Sequence, residues 1–439
     1  MLDLRPLRSG GFRHLASAVW INELGNSIGE VALTLLVYDR TGSALASASL
    51  FLALRFLPAA LAPLLAAYVE AMRPRIVLTV LYLAEACLFA GIAAVAHRFS
   101  LPLVLALVSV DGILAIVAAT LTRSATANNL VAAGLLREGN GLVNIGTMIA
   151  FASGPIVAGM VVAWRGASLA LFVDAATFML TALVVVSTRE ISLDSDREAG
   201  FSGRIRAGAA VLRTRVALRR LLVATTLTFG LSSVAVPIEV VFAQTTLHTG
   251  SSGYGLLLTC WGIGMIAGSL VFAVGIEIPL MRVLGCATFL VVLGYAGLAA
   301  SPTLAVACAF SWLGGSGNGA AWIAAMTAIQ ERTPANAQTA VMSVLYALNQ
   351  VLPAAGFVAG GLITTLSSPR VAYAVSAAGT ALALATFIRR PVDRVELGEI
   401  GQASIDTEQL PLGQPIKRTD PQETALIPRS TKSPPITIG

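Results

Sequence analysis

Ionisable side chains occur inside stretches of this chain that are otherwise strongly apolar. They are Glu23, Glu30, Arg55, Glu85, Asp111, Asp174 and Glu239. A charge at the centre of a membrane helix costs about 2.5–3.5 kcal/mol, so such groups persist mainly where they meet water, a partner or a ligand. A medium of low dielectric constant disfavours the charged form of an acid, and a nearby cation restores it. These residues predict proton exchange or binding of a charged molecule rather than covalent catalysis.

The first apolar stretch carries a polar stripe. Glu23 and Glu30 are two helical turns apart with Asn26 between them, so the three residues share one face of a helix. Arg55 falls inside the second stretch, at a depth comparable with that of Glu30. Two interpretations of Glu30 and Arg55 are open: a static ion pair that joins two helices, or groups that take part in coupling or substrate recognition.

The remaining acids divide by the stretch that carries each one. Asp111 and Glu239 are predicted to face a cavity, with packing or exposure at a helix end as the alternative. Because Glu239 follows Pro237 near the end of its stretch, lining an exit path is a further possibility for it. Asp174 and Glu85 are predicted to be structural charges that tie their helices to neighbouring helices.

The composition excludes several classes of protein. Of the 439 residues, 56% are hydrophobic and 12% are charged, whereas a soluble protein carries about 25% charged residues. Neither Lys417 nor Lys432 lies in an apolar stretch, which excludes a Schiff-base pigment, and a phosphate-binding Gly-Lys-Ser/Thr loop is absent. Histidine and cysteine show no metal-ligand spacing, so we expect no catalytic residue, metal or cofactor. The net charge of +6 belongs to loops and indicates membrane topology rather than nucleic-acid binding.

Apolar blocks broken by charges, Pro or Gly clusters predict twelve membrane-spanning helices, since about 20 residues cross the hydrocarbon core. The blocks cover residues 14–38, 44–70, 76–96, 101–122, 140–163, 167–187, 221–245, 253–275, 280–300, 303–328, 339–366 and 370–388. Basic residues concentrate in alternate loops. This bias predicts a multi-pass protein of the inner or plasma membrane with both chain ends in the cytoplasm.

Two short sequences recur in the two halves of the chain. Thr41-Gly42-Ser43 returns as Thr249-Gly250-Ser251, and the segment 154–159 aligns with 355–360 at a similar spacing. Together they favour a duplication of six helices, which is the architecture of transporters that rock about a central site. We therefore predict an all-α membrane protein with twelve transmembrane helices in two pseudo-symmetric six-helix bundles.

This duplication predicts four units along the chain. They are an N-terminal six-helix bundle (1–187), a cytoplasmic inter-bundle loop (188–220), a C-terminal six-helix bundle (221–391) and a disordered cytoplasmic tail (392–439). The tail is polar and rich in Pro and Thr, so it buries too little apolar surface to offset the entropy of ordering it.

Several motifs resemble those of the major facilitator superfamily. They are Phe12-Arg13 before the first span, Leu36-Val37-Tyr38 running to Thr41-Gly42-Ser43-Ala44, Asp174-Ala175-Ala176-Thr177-Phe178, Gly253-Tyr254-Gly255-Leu256 and Gln330-Glu331-Arg332-Thr333-Pro334. Over roughly residues 12–390 the chain is similar to the drug-exporter branch, which includes macrolide and enterobactin exporters. This resemblance implies that spans 1, 4, 7 and 10 line a central cavity. It would bring Glu23, Glu30, Asp111 and Glu239 to one vestibule.

The resemblance also implies a conformational gate. In the family a Gly-Pro step in span five marks antiporters, and here Gly154-Pro155 is followed by Gly159; ordinary packing of small residues is the alternative. Proline kinks a helix, and small residues let a partner helix approach closely. The loop after span two departs from the family pattern of a Gly, Asp-Arg and a run of Arg.

In that loop, Glu70 stands for the acid and Arg73 or Arg75 for the base, whereas Ala66 replaces the glycine. The first-span aspartate of the branch is replaced by Asn26. We therefore assign the inner gate to Glu70, Arg73 and Arg75, with an altered charge relay.

The sequence as a whole predicts a secondary active transporter rather than an enzyme. We expect proton-coupled efflux of hydrophobic or amphipathic small molecules by alternating access. Its partners would be the small-molecule substrate, protons and the lipid bilayer, with no nucleic acid, and we expect a monomer. Two alternatives stay open: a facilitator, importer or exporter of a metabolite or siderophore on the same fold, and a non-transporting membrane sensor or scaffold.

Overall fold

The computed structural model describes residues 5–69, 72–132, 135–188, 201–274, 278–334 and 337–389. Within these ranges the chain forms long helices and no strand. Nine helices are single segments: α1 (Gly10–Thr41), α3 (Pro74–Val95), α4 (Leu101–Ala132), α5 (Leu136–Arg165), α6 (Ala167–Ser187), α8 (Gly250–Val274), α9 (Leu280–Ala300), α10 (Leu304–Arg332) and α11 (Gln338–Leu366). A tenth, α12 (Pro369–Arg389), ends the described chain. The predicted all-α fold of twelve helices is confirmed.

The two other helices, α2 and α7, are interrupted. Helix α2 consists of Ala44–Phe51, a π-helical turn at Leu52–Phe56, and Leu57–Val69. Helix α7 runs through Val216–Ser232, a 3₁₀ turn at Ser233–Ile238, Glu239–Val241 and a π-helical turn at Phe242–Thr246. Such irregular turns frequently mark functional sites in helices, because they change the direction of individual side chains.

Nine of these helices are long and apolar enough to cross a membrane, counted over the described residues: α2 to α9 and α11. Helices α1, α10 and α12, of 32, 29 and 21 residues, fall outside this group. Polar residues lower the hydropathy of α1, and the run Gly314–Gly319 lowers that of α10. A helix that faces a water-filled interior needs less apolar surface than one that faces lipid.

The segment predicted as the inter-bundle loop contains a helix. Residues Phe201–Thr214 form this inter-bundle helix, and α7 begins at Val216. Gly208 and Leu212, one turn apart, are buried. A Cβ atom at Gly208 would lie 2.7 Å from the Cγ2 atom of Val344 on α11. The short apolar face was too small to stand out between basic residues. The predicted tail, 392–439, lies outside the described residues.

Equivalent helices of the two halves cross at small residues. In the N-terminal half (α1 to α6), Gly154 of α5 lies directly against Ser27 of α1. In the C-terminal half (α7 to α12), a Cβ atom at Gly356 of α11 would lie 3.1 Å from the Cβ atom of Ser233 on α7. Each half therefore packs its first and fifth helices through the same kind of contact.

The two ends of the helices differ in their connections. We call the end with the connections 42–43, 96–100, 166, 247–249, 301–303 and 367–368 the short-loop side, and the opposite end the long-loop side. Glycine contacts join the two halves between the middle of the helices and the short-loop side. Gly159 of α5 and Gly255 of α8 would place a Cβ atom 3.2 Å from each other's Cα atom.

Two further contacts join the halves near the same side. Phe51 of α2 and Phe357 of α11 have ring centroids 5.6 Å apart. At the end of the helices, the Nε2 atom of Gln244 donates a 2.8 Å hydrogen bond to the Oδ1 atom of Asp39. The short-loop side is therefore the closed side in this conformation.

Candidate transport site

Glu30 and Arg55 form an ion pair between α1 and α2. The Nη2 atom of Arg55 lies 2.9 Å from both carboxylate oxygen atoms of Glu30. Arg55 belongs to the π-helical turn of α2, so the extra backbone residue of that turn directs its side chain toward α1. The side chain of Arg55 is 51% exposed and that of Glu30 is 37% exposed. A charged pair in the middle of two apolar helices that keeps this exposure indicates a space open to water.

Glu239 approaches this pair from the C-terminal half. It follows the 3₁₀ turn of α7, and its carboxyl group lies near enough to that of Glu30 for the two like charges to repel each other. Three nearly fully buried tyrosines, each on a different helix, lie near its carboxyl group: Tyr254, Tyr295 and Tyr373. Tyr254 also interacts with Thr34 of α1, whose hydroxyl group donates a 2.7 Å hydrogen bond to the Glu30 carbonyl oxygen. Glu30, Arg55 and Glu239 thus form a charge cluster across the interface between the halves.

Stacked aromatic rings surround Glu239 on the C-terminal side. Tyr295 stacks on Trp261 with ring centroids 5.4 Å apart and on Tyr373 at 6.2 Å. Phe242 packs edge-on against Tyr373 at 5.1 Å. Phe242 lies in the π-helical turn of α7, so its contact with Tyr373 joins the irregular part of that helix to α12. The sequence alone did not predict that these rings surround Glu239.

A second group of acids is buried inside the N-terminal half. Glu85 of α3, Asp111 of α4 and Asp174 of α6 are 1%, 5% and 0% exposed, and Glu85 interacts electrostatically with both aspartates. Both oxygen atoms of Glu85, Asp111 Oδ1 and Asp174 Oδ2 have no hydrogen-bond partner among the described residues. Asp111 therefore lies with Glu85 and Asp174, and not with the charge cluster formed by Glu30, Arg55 and Glu239.

Asp174 packs against α1 through two glycines. A Cβ atom at Gly25 would lie 2.6 Å from Asp174 Oδ1, and one at Gly29 would lie 2.9 Å from Asp174 Cγ. The Thr177 hydroxyl group donates a 3.2 Å hydrogen bond to Oδ1. The absence of side chains at Gly25 and Gly29 leaves the space that this carboxyl group fills.

Glu23 and Asn26 occupy the remaining part of the polar stripe on α1. Glu23 interacts electrostatically with Arg123 of α4 and with Tyr82. Asn26 is half-buried. The four acids expected in one vestibule are therefore divided: Glu30 and Glu239 meet at the interface, Glu23 faces Arg123, and Asp111 lies inside the N-terminal half.

The predicted gate residues fall in two places. Glu70 lies outside the described residues. Arg73 is exposed at the start of α3, and Arg75 donates a hydrogen bond to the Val186 carbonyl oxygen at the end of α6. Pro155, with Gly154 and Gly159, lies where α5 meets its neighbours.

At this crossing Gly154 faces α1, and the Pro155 carbonyl oxygen and Gly159 face Gly255 of α8. The structure therefore brings the Gly-Pro segment to the interface between the halves. Among the described residues, no group of His, Cys, Asp or Glu is arranged to hold a metal ion.

Comparison with known proteins assigns the chain to a family. Residues 2–416 match the family model described as "transmembrane secretion effector". Among the curated proteins, none matches the chain. The structure is similar to the nucleoside transporter NupG, with a TM-score of 0.70 and 11% sequence identity over 86% of this chain and 98% of that one.

Two further solved structures share the fold. A bacterial homologue of the iron transporter ferroportin in an inward-facing state gives a TM-score of 0.66 and 13% identity, over 86% of this chain and 98% of the other. A bacterial homologue of the human lysosomal transporter Spinster, inward-facing and unoccupied, gives a TM-score of 0.65 and 12% sequence identity, over 86% of this chain and 98% of the other. At these identities the likeness establishes the fold alone.

Proposed function

Because the chain belongs to the transmembrane secretion effector family of the major facilitator superfamily, we propose that it exports hydrophobic or amphipathic small molecules in exchange for protons. It is a multi-pass integral membrane protein and a transporter of this fold. Alternating access, with the two halves rocking about a site near mid-membrane, is the mechanism that duplicated six-helix transporters use.

The observation that carries this proposal is the charge cluster of Glu30, Arg55 and Glu239. It combines one base with two acids and draws them from both halves of the protein. A proton on Glu30 would remove the charge that holds Arg55, and the freed guanidinium group would then attract Glu239. One proton can thus change the balance of attraction between the two halves, which is what coupling requires.

The conformation supports a direction for the cycle. We propose that the long-loop side faces the cytoplasm, as the basic loops predict, so that the closed short-loop side faces outward. Substrate would enter from the cytoplasm or inner leaflet while Glu30 holds Arg55. After the halves rock, a proton from outside would reach Glu30 and reset the carrier.

Purified protein in proteoliposomes tests the proposal. With ethidium and N-phenylnaphthylamine as probes and an imposed pH gradient, we expect probe movement to be accompanied by proton movement in the opposite direction. A protonophore should abolish uphill transport. Probe transport that is indifferent to the protonophore would contradict proton coupling, and uphill uptake in the import direction would instead favour an importer on the same fold.

Deletion of residues 392–439 separates transport from a role as a sensor or scaffold. A transporter should retain its flux without the tail, since the helices that carry the charge cluster are intact. Loss of a bound partner together with an absence of any flux in the full chain would instead support the scaffold.

A further inference from the structure

A cavity lies inside the C-terminal half, between α7, α9, α10 and α12; its enclosed part measures about 70 Å³, and the space continues out to the surroundings. Every lining residue comes from these four helices, and none is charged. The cavity is therefore distinct from the charge cluster of Glu30, Arg55 and Glu239, which joins the two halves.

The cavity lies in the long-loop half of its helices. Its lining on α9 begins at Leu284, one turn after that helix starts, and its lining on α10 ends at Ala325, two turns before that helix ends. On α12 it is lined by Leu384, near the end of the described helix. The cavity thus lies on the side opposite to the closed contacts between the halves.

The walls combine aromatic rings with polar side chains that can form hydrogen bonds with a ligand. Phe229 and Trp322 form a tilted pair with ring centroids 6.0 Å apart. The hydroxyl groups of Thr225 and Thr288 donate to carbonyl oxygens of their own helices, at 2.9 and 2.8 Å, which leaves their lone pairs available. Within the described part of the chain, the Asn318 amide and the Trp322 indole N–H have no hydrogen-bond partner.

These groups define the chemistry of a ligand. An amide, an indole N–H and threonine oxygen atoms offer both donors and acceptors, whereas no side chain in the lining can balance a charge. An unpaired polar group in an apolar environment costs free energy, and a ligand that pairs with it regains that cost. The aromatic pair favours a ring system over a flexible chain because stacked rings lose little entropy.

Tyr295 separates this cavity from the charge cluster. Its hydroxyl group donates a 3.4 Å hydrogen bond to the carbonyl oxygen of Ser232, a lining residue, and lies near enough to Glu239 to be affected by its charge. Tyr295 is one helical turn beyond Val291, the last lining residue of α9. The neutral cavity and the charged site therefore adjoin without sharing a residue.

We propose that this cavity is a binding site for uncharged aromatic molecules that carry a hydrogen-bonding group, with Asn318 and Trp322 as the recognition residues. The inference rests on the proposed function only in regarding such a molecule as cargo. It assigns the uncharged part of an amphipathic substrate to the C-terminal half and the proton chemistry to Glu30, Arg55 and Glu239.

Equilibrium binding to the full-length protein in nanodiscs tests the site. N-phenylnaphthylamine is uncharged and carries one N–H group, and anilinonaphthalene sulfonate has the same rings with an added negative charge. We expect saturable fluorescence enhancement with the uncharged probe, relative to nanodiscs without protein. The sulfonate and the cationic dye ethidium should fail to displace it at equal concentration.

Two substitutions locate the binding. Ala321→Phe fills the cavity and should weaken binding of N-phenylnaphthylamine at least tenfold, whereas Ala309→Phe, at an exposed position of the same helix, should leave it unchanged. Asn318→Leu keeps the volume of the side chain and removes the amide that would form hydrogen bonds with the ligand, so we expect about fivefold weaker binding. Melting temperatures of the variants distinguish weaker binding from loss of folded protein.

Several outcomes would overturn the inference. They are the absence of saturable binding to the wild type, unchanged binding in both cavity variants, and equal displacement by the charged dyes. The measurement uses no pH gradient, so it is independent of proton coupling. Binding that follows Asn318 while transport ignores protons would retain the site and reject the proposed exchange, and the reverse result would retain the exchange.

Discussion

At the scale of single residues, the pairing of Glu30 with Arg55 matters more than the number of acids. Because both side chains are partly exposed, separating this pair costs less than separating a fully buried one, which would leave two uncompensated charges away from water. A guanidinium group keeps its charge under all physiological conditions, so the proton chemistry belongs to the carboxyl group. Whether Arg55 stays bound to α1 therefore depends on the charge of Glu30.

Glu30→Gln removes this charge and keeps the size of the side chain. We expect proton movement to stop and uphill transport to fall at least tenfold, because Arg55 no longer has a partner that can be neutralised. Transport and proton flux in proteoliposomes measure both effects. The matched control is Glu138→Gln, which disrupts the surface ion pair with Arg5 at 3.8 Å and should retain wild-type transport.

The contact of Asp174 with α1 gives a prediction about stability. Gly29→Ala would place a methyl group against the buried carboxyl group, and overpacking of this kind costs about 1–3 kcal/mol. The melting temperature of the purified protein should fall. Gly91→Ala is the control, since a Cβ atom there meets nothing within 4 Å and alanine favours a helix over glycine. Equal melting temperatures of the two variants would show that the space around Asp174 adapts freely.

At the scale of helices, irregular turns position the charges. A regular α-helix through residues 52–56 would rotate Arg55 away from its present direction. In the same way, the 3₁₀ turn of α7 sets the direction of Glu239, which follows it. Pro237 lies inside that turn, where its missing N–H group interrupts the helix. The helices of the two halves then meet through glycines.

The crossing of α5 and α8 is predicted to be sensitive to side-chain size. Gly159→Val would insert a branched side chain whose Cβ atom lies 2.7 Å from the Ser251 carbonyl oxygen. The short-loop side could then no longer close as it does here. We expect transport to fall about tenfold or more, because overpacking raises the free energy of the conformation in which the short-loop side is closed. Gly141→Val on the same helix, where a Cβ atom meets nothing within 4 Å, should transport normally.

At the scale of the whole molecule, the two halves divide the chemistry. The buried acids Glu85, Asp111 and Asp174 belong to the N-terminal half, together with the ion pair of Glu30 and Arg55. The C-terminal half holds the uncharged cavity and contributes Glu239 to the interface. Rocking of one half against the other would change the distance between the proton site and the neutral cavity.

Closure of the short-loop side can be tested with a disulfide. In a chain without its native cysteines, Asp39→Cys with Gln244→Cys replaces the 2.8 Å hydrogen bond between the halves. Oxidation should stop transport and a reductant should restore it, because alternating access requires this contact to open. The single variant Asp39→Cys should be unaffected by the oxidant. Undiminished transport by the crosslinked protein would contradict opening at this point.

The sequence by itself determined the fold class and the candidates for charge chemistry. Apolar blocks of span length require helices in lipid, since backbone groups must pair within their own segment there. The duplicated motifs and the Glu23–Glu30 stripe were likewise visible because they depend only on local periodicity. The inter-bundle helix was missed since its buried face is one short stripe that includes Gly208 and Leu212.

Only the tertiary structure decided which of these residues meet. Asp111 and Glu30 have the same chemistry and both lie in apolar helices, yet one joins Glu85 and Asp174 and the other pairs with Arg55. The direction of a side chain depends on helix rotation and on irregular turns at single residues, which hydropathy does not record. The uncharged cavity was equally invisible, because Thr, Asn, Phe and Trp are ordinary residues until four helices bring them to one space.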